Sequence, residues 1–427
     1  MLLIATKYDK IKSILSQGIE WINMLSAIYL ITTLIFPFEY QKPAMYFYFI
    51  TLALDIIINK RYKNVKWNNA KWTFVAMILF YLCIWIWHPF EDSNLPHFKS
   101  VYENRLPYIV FGLLGLFTNI NPRLKLQYFA IPMLLISIGC TIYLIIIKFD
   151  IFNHLPISFI QYQKAFEYHR VTTMRNSHMS FNLYLNFSIM FSIYAIQKFK
   201  QKWLKGVTLL GLLLVYLILL VSEGRTGFLT GNILVLGFAC YIITKNNKKL
   251  IVPLLSLAII GIFLIINNHS RTKDLPLNND PRIGIWEHSM KIIKDKPIFG
   301  YGVSDGRKAF VEKIDTNENI LTHYLKLHPE LKNTYKPHSH NTFIESTIEF
   351  GIIGLVLISL IFILPIIFTR GEKRVFTCIL IFIFSLQSLF EILGPNLPNI
   401  YLCWFLYLFL TENKFFSQNN KTKAIEN

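Results

Sequence analysis

The chain has 427 residues, of which 53% are hydrophobic and only 16% charged, with a formal net charge of +18. Soluble domains carry roughly 25% charged residues, so an ordinary soluble globular fold is excluded. The basic residues stand in short clusters between apolar runs, with no aromatic stripe on a polar face. That pattern excludes a nucleic-acid surface and points to membrane orientation and anionic lipid.

Apolar runs of about 16–25 residues, long enough to cross a hydrocarbon core of ~30 Å, recur along the whole chain. They predict an all-α polytopic membrane protein, residues 1–427 forming one integral membrane domain. About 12 transmembrane helices are expected, near 18–37, 43–59, 72–88, 107–120, 127–148, 178–196, 206–222, 226–244, 250–267, 342–368, 375–392 and 398–411. The opening MLLIATKYDKIKSILSQ lacks a clean apolar core and a small-residue cleavage site, so the first helix is expected to act as an uncleaved anchor. Cys83, Cys140, Cys240, Cys378 and Cys403 all fall inside apolar runs, which argues against a disulfide framework.

With the N-terminus placed in the cytoplasm, each connection from an even to an odd span should be basic. Lys60, Arg61, Lys63, Lys66 and Lys71 fill the first, and Arg123 and Lys125 the second. Lys198, Lys200, Lys202 and Lys205 fill the third, Lys245, Lys248 and Lys249 the fourth, and Arg370, Lys373 and Arg374 the fifth. All fall on one side, as the orientation rule requires, and both termini are then cytoplasmic. Segments 89–106, 149–177 and 268–341 face the other side. The last, between spans 9 and 10, is too long for a connector and is expected to carry function. Within it, Asp280-Pro281 starts a helix, with Asp as N-cap and Pro at the first helical position. Ile285, Trp286, Met290 and Ile293 share a face, which predicts an amphipathic helix at the membrane interface. Lys296-Pro297 ends it, and Gly300 and Gly302 follow in tight turns.

The chemistry-bearing residues cluster toward this side. His340-Asn341 stands where the long polar segment meets span 10. Its bland explanation is a helix cap beside an interfacial histidine. Its functional one is a general base or an orienting group, because the ordinary imidazole pKa lies near neutrality. Metal binding through His338 and His340 would need a third close ligand, so no metal site is expected. Gly351 and Gly354 are expected to let helices approach closely. Arg225, in Ser222-Glu223-Gly224-Arg225-Thr226-Gly227, either pairs internally or clamps a diphosphate; its planar guanidinium suits phosphate better than lysine does. Arg282 in a first helical turn runs against the helix dipole, so an anionic contact would explain it. Arg170, Arg175 and His178 could extend the same anion site, although basic residues at interfaces are common. No Asp-x-Asp pair occurs, so the usual carboxylate–metal device for nucleotide sugars is missing.

Gly224-Arg225-Thr226-Gly227, Arg282-x-x-x-Trp286, Pro297-x-x-Gly300-x-Gly302 and His340-Asn341 followed by Gly351 and Gly354 together resemble the O-antigen ligase family, part of a superfamily shared with O-antigen polymerases. The resemblance is topological over most of the chain and motif-level from Arg225 to Gly354. It implies a GT-C-like architecture and a metal-independent, inverting glycosyltransferase of the bacterial inner membrane with no cofactor. Its donor would be a glycan on undecaprenyl pyrophosphate and its acceptor a sugar hydroxyl of the lipid A core, on the periplasmic face. By the same resemblance His340 is the catalytic residue. The resemblance also matches Arg225 and Arg282 to the family's pyrophosphate-binding arginines. Read from the residues themselves, Asn341, His338, Arg175 and His178 are further candidates to line the substrate site. An O-antigen polymerase would share the donor and differ in its acceptor. A lipid-linked glycan flippase or transporter would instead need a cationic cavity at the midplane.

Overall fold

The computed structural model describes residues 2–36, 38–86, 95–148, 178–221, 225–244, 281–303, 339–390 and 399–411, together with 253, 256, 306 and 309. These are helical, and no strand occurs among them. The helices are α1 (Leu2–Thr32), α2 (Phe38–Ile58), α3 (Trp72–Ile86), α4 (Leu95–Phe117), α5 (Gln127–Lys148), α6 (His178–Lys198), α7 (Lys202–Val221), α8 (Arg225–Thr244), α9 (Pro281–Asp295), α10 (Thr342–Phe368), α11 (Gly371–Phe390) and α12 (Asn399–Leu410). Every expected span except 250–267, which falls almost wholly outside the described residues, has a helix over it. Among the described residues, 5 stretches are long and apolar enough to cross a membrane: Lys10–Ile35, Asn69–Ile86, Lys202–Leu220, Thr342–Phe368 and Gly371–Phe390. The chain is thus a helical, multi-pass membrane protein.

Two boundaries and one helix face depart most from the sequence expectation. Helix α1 begins at Leu2, where the first span is expected from residue 18. Residues 95–106, expected in a connection, are the opening turns of α4, with Pro96 tolerated near its start. On α9, Ile285 and Ile292 are buried with Ile348 of α10, and His288 and Ser289 share that buried side. Met290, expected on the same apolar face, is 48% exposed. The apolar stripe of α9 therefore serves α10, and its register is set by that packing.

The described residues divide into two compact units. The first comprises Met1–Lys66, Phe117–Leu264 and Thr411–Asn427. Here α6 is the central helix, buried from Phe181 to Tyr194 and packed by α5, α7 and α8. A polar seam joins α1 to α2: Ser26 Oγ and Thr51 Oγ1 lie 2.7 Å apart, and Asn23 Nδ2 donates to Thr51 Oγ1 at 3.4 Å. Such bonds hold helices together where apolar packing against lipid gives little preference. At one end of this seam Glu20 binds both Arg61 (2.6 Å) and Arg123 (2.8 Å), while Asp55 takes Arg61 Nε at 3.2 Å. Burial opposes the Arg61 charge, but Asp55 and Glu20 outweigh it and hold its pKa above the usual value. Asn119 N donates to Arg61 O at 3.0 Å. Arg61 and Arg123, one from each of the first two basic connections, therefore meet at one end of this unit.

The second unit comprises Trp67–Leu116 and Ile265–Leu410. Its α10 packs on α3, α9 and α11, and α12 completes it with a run of buried aromatics. Tyr108 Oη of α4 donates to Asn399 Oδ1 (3.1 Å), and Asn399 Nδ2 returns to Asn104 O (3.0 Å), tying α4 to α12.

Candidate active site

The start of α10 is built by side chain–backbone bonds. Asn341 caps it: Oδ1 accepts from Phe343 N (2.9 Å) and Ile344 N (3.0 Å), satisfying two amides that the first turn leaves open. Its Nδ2 donates to Leu389 O at 3.1 Å, so one amide also fastens α10 to the end of α11. Glu345, in the first turn where the helix dipole favours a carboxylate, accepts from Ser339 N at 3.1 Å. Ser339 Oγ donates to Asn341 O at 2.9 Å. Between these two fixed residues stands His340, with φ 48°. Left-handed backbone is uncommon for non-glycine residues, and histidine is among those that tolerate it. Hydrogen bonds fix the residues on either side of His340.

Helix α9 brings its own residues to this corner. Trp286 Nε1 donates to Ser339 O at 3.0 Å, and its ring lies 6.1 Å from that of Phe390. One turn earlier the Arg282 guanidinium lies 5.9 Å from the same ring. The i, i+4 spacing of Arg282 and Trp286 puts both on one face of α9. That face meets Phe390, next to the Leu389 carbonyl that holds Asn341. The structure therefore gathers Arg282, Trp286 and the Ser339-His340-Asn341 turn at the end of α11. A guanidinium beside the Phe390 ring gains a cation–π attraction, and its planar fork is a geometry that matches phosphate.

The glycine motifs support this corner from behind. Gly351 breaks α10 with φ 63° and ψ −153°. The break frees backbone groups, and the turn after α9 takes them up. Tyr301 N donates to Ile348 O (2.9 Å), Gly302 N to Glu349 O (2.8 Å), and Ile352 N to Pro297 O (2.9 Å). A Cβ at Gly351 would overlap the Ile298 carbonyl, and one at Gly300 would lie 2.5 Å from the carbonyl carbon of Glu349. Gly351 therefore admits a docked loop, where the sequence suggested a neighbouring helix. Gly354 meets Ser346 of its own helix across the break.

Some residues that build this corner and its surroundings escaped the sequence reading. Arg105 of α4 pairs with Glu349 at 2.6 Å, both buried, and the guanidinium is flanked by Phe80 (5.7 Å) and Phe350 (5.5 Å). The sequence does hold a signal for it, an arginine at the edge of an apolar run, which is costly unless paired. Ser339, Glu345 and Phe390 give no local signal, because their roles depend on how α9, α10 and α11 meet.

The side chains of the remaining predicted residues are outside the described ones. Arg225 opens α8 in the first unit, and its side chain lies outside the described residues. The α8 motif is held there by Gly227, whose carbonyl accepts from Asn186 Nδ2 of α6 at 3.0 Å. His178 opens α6, its side chain again outside the described residues, and Arg170, Arg175 and His338 fall wholly outside them.

The fold defines the chain as a helical multi-pass membrane protein, with a histidine–asparagine turn and an arginine beside one aromatic ring in its second unit. Residues 208–359 match the model of a family described as O-antigen ligase, so the resemblance read from the sequence is borne out over that stretch. It contains Arg225, Arg282, His340, Asn341 and Gly351. A Haemophilus influenzae protein described as uncharacterized is 25% identical over 416 residues, covering 89% of this chain and 95% of that protein. A Rickettsia conorii protein named "Putative polysaccharide ligase" is 30% identical over 163 residues, 36% of this chain and 37% of its own. A Rickettsia felis protein of the same name is 29% identical over 155 residues, 34% of this chain and 35% of its own.

Proposed function

We propose that this chain is an O-antigen ligase of the bacterial inner membrane, transferring a glycan from undecaprenyl pyrophosphate to a sugar hydroxyl of the lipid A core on the periplasmic face. The observation that carries this reading is the convergence of Arg282, Trp286 and His340-Asn341, all inside the stretch matched to the family, on Leu389–Phe390 at the end of α11. The names of the Rickettsia relatives support transfer of a polysaccharide.

In this reading the acceptor hydroxyl oxygen attacks the anomeric carbon of the donor sugar. A bond forms between them as the carbon–oxygen bond to the diphosphate breaks, and the electron pair leaves with the diphosphate. The configuration inverts. His340 orients the hydroxyl and takes its proton. Arg282 neutralises the charge growing on the leaving group, with Arg225 assigned a second phosphate contact by the family resemblance. Asn341 holds the histidine turn, and Phe390 holds the guanidinium. Asn341 therefore acts as a positioning residue. No metal is assigned a role. His338, Arg175 and His178 are proposed to contact substrate around these groups.

The test is transfer by the purified protein, supplied with a lipid-diphosphate glycan and a lipid A core. Product from wild type, and none from folded His340→Ala, supports the reading. If the protein accepts only a second lipid-linked glycan, it is an O-antigen polymerase. If it moves donor across a bilayer and joins nothing, it is a transporter and the proposal falls.

A further inference from the structure

We infer that α9 and residues 342–350 lie along the surface of the bilayer, and that the turn after α9 dips Ile298 and Phe299 into the lipid of the adjoining leaflet. Gly351 sets the direction of the chain here. In a straight helix residues eight apart are about 12 Å apart along the axis. Here a Cβ on Gly354 would meet the Ser346 carbonyl, so the helix axis turns sharply at the break. Residues 351–368 are by themselves about 27 Å long, close to the ~30 Å hydrocarbon thickness. Residues 342–350 are not needed for the crossing; their Ser346, Thr347 and Glu349 are buried against protein, and Glu345 lies in the first turn.

Helix α9 runs alongside this segment in the same direction. Trp286 meets Ser339, Ile292 lies with Ile348, and Pro297 reaches Ile352. Its buried side faces α10. On its outer side, and on the turn, stand three exposed lysines, Lys291, Lys294 and Lys296. Beside them Ile298 and Phe299 are 56% and 57% exposed. Two adjacent large apolar residues at a turn, flanked by lysines, are the composition of a surface seated in a headgroup boundary. The neighbours of the turn name the occupant. The turn is bonded to α10 at Ile352, and Ile352 and Val356 beyond it are both 48% exposed on a helix of spanning length. Ile298 and Phe299 thus continue a face that already meets lipid. The consequence is that the Arg282–His340 corner works at the level of lipid headgroups.

Spin labels read this without reference to transfer, so failure here and failure of the proposed activity are separable. Phe299→Cys and Ile298→Cys are labelled in the full chain in phosphatidylglycerol-containing bilayers, with Cys240 and Cys378 replaced by serine and exposed Glu287→Cys as the aqueous reference. The expected result is high oxygen and low nickel-complex collision at 298 and 299, corresponding to a depth of about 5–10 Å below the phosphates. Nickel accessibility at 298 and 299 equal to that at 287 would overturn the inference. So would labels immobilised and shielded from both reagents, which would mean that protein covers the turn. The Ile298 label keeps the test intact if the Phe299 variant does not fold.

Discussion

Replacing Gly351 with alanine tests how the active-site corner is supported. Its φ of 63° and ψ of −153° lie in a region open almost only to glycine, where another residue costs about 1–3 kcal/mol. The new Cβ would also overlap the Ile298 carbonyl and lie 2.6 Å from Phe299 N, both backbone atoms that cannot rotate away. Relief requires the turn to leave α10. That gives up the Tyr301–Ile348, Gly302–Glu349 and Ile352–Pro297 bonds, each worth about 1 kcal/mol net. The combined cost is about 4–6 kcal/mol, a large share of a typical folding free energy of ~5–15 kcal/mol. Gly371 is the control. Its φ is 58°, but a Cβ there meets nothing within 4 Å, so alanine costs only about 1–2 kcal/mol of backbone strain. In detergent-purified protein, Gly351→Ala should lower the thermal midpoint far more than Gly371→Ala. It should also expose the 296–303 turn to protease. Equal shifts in the two variants, or a protected turn in Gly351→Ala, would refute the docking argument.

Asn341→Ala should cost about 1–2 kcal/mol by removing the cap, whereas Asn341→Asp keeps both capping bonds and loses only the donor to Leu389; thermal midpoints of the two separate these contributions. Arg105→Ala leaves the Glu349 carboxylate buried alone and should cost about 3–5 kcal/mol, most of it recovered in an Arg105→Met, Glu349→Leu double variant measured by the same melt. Arg282→Ala should lower transfer rate at saturating acceptor, and Arg282→Lys should restore little of it, because an ammonium neither stacks on Phe390 nor binds phosphate through a planar fork. Incubation with EDTA should leave transfer unchanged; loss that a divalent ion restores would contradict the metal-free mechanism.

What the sequence made visible was local. Apolar runs marked the helices because hydrocarbon thickness sets a length. Asn341 was visible as a cap because its acceptors lie two and three residues away. Arg282 and Trp286 were visible as partners because four residues is one helical turn. What stayed hidden was the meeting of distant segments. Arg105 and Glu349 are 244 residues apart, and no periodicity links them. Phe390 looks like any other apolar residue of a span until α9 is laid against it. Gly351 and Gly354 advertised close approach correctly but not its object, since a glycine pair reads the same whether a helix or a turn comes near. The buried face of α9 was misjudged at Met290 for a related reason, since packing on α10 chooses the register.

The most direct test of the account is single-turnover transfer by folded His340→Ala beside wild type, in detergent, with lipid-diphosphate glycan and lipid A core supplied. The account predicts product from wild type and none from the variant, with donor binding retained through Arg282. Product from His340→Ala at the wild-type rate would contradict it.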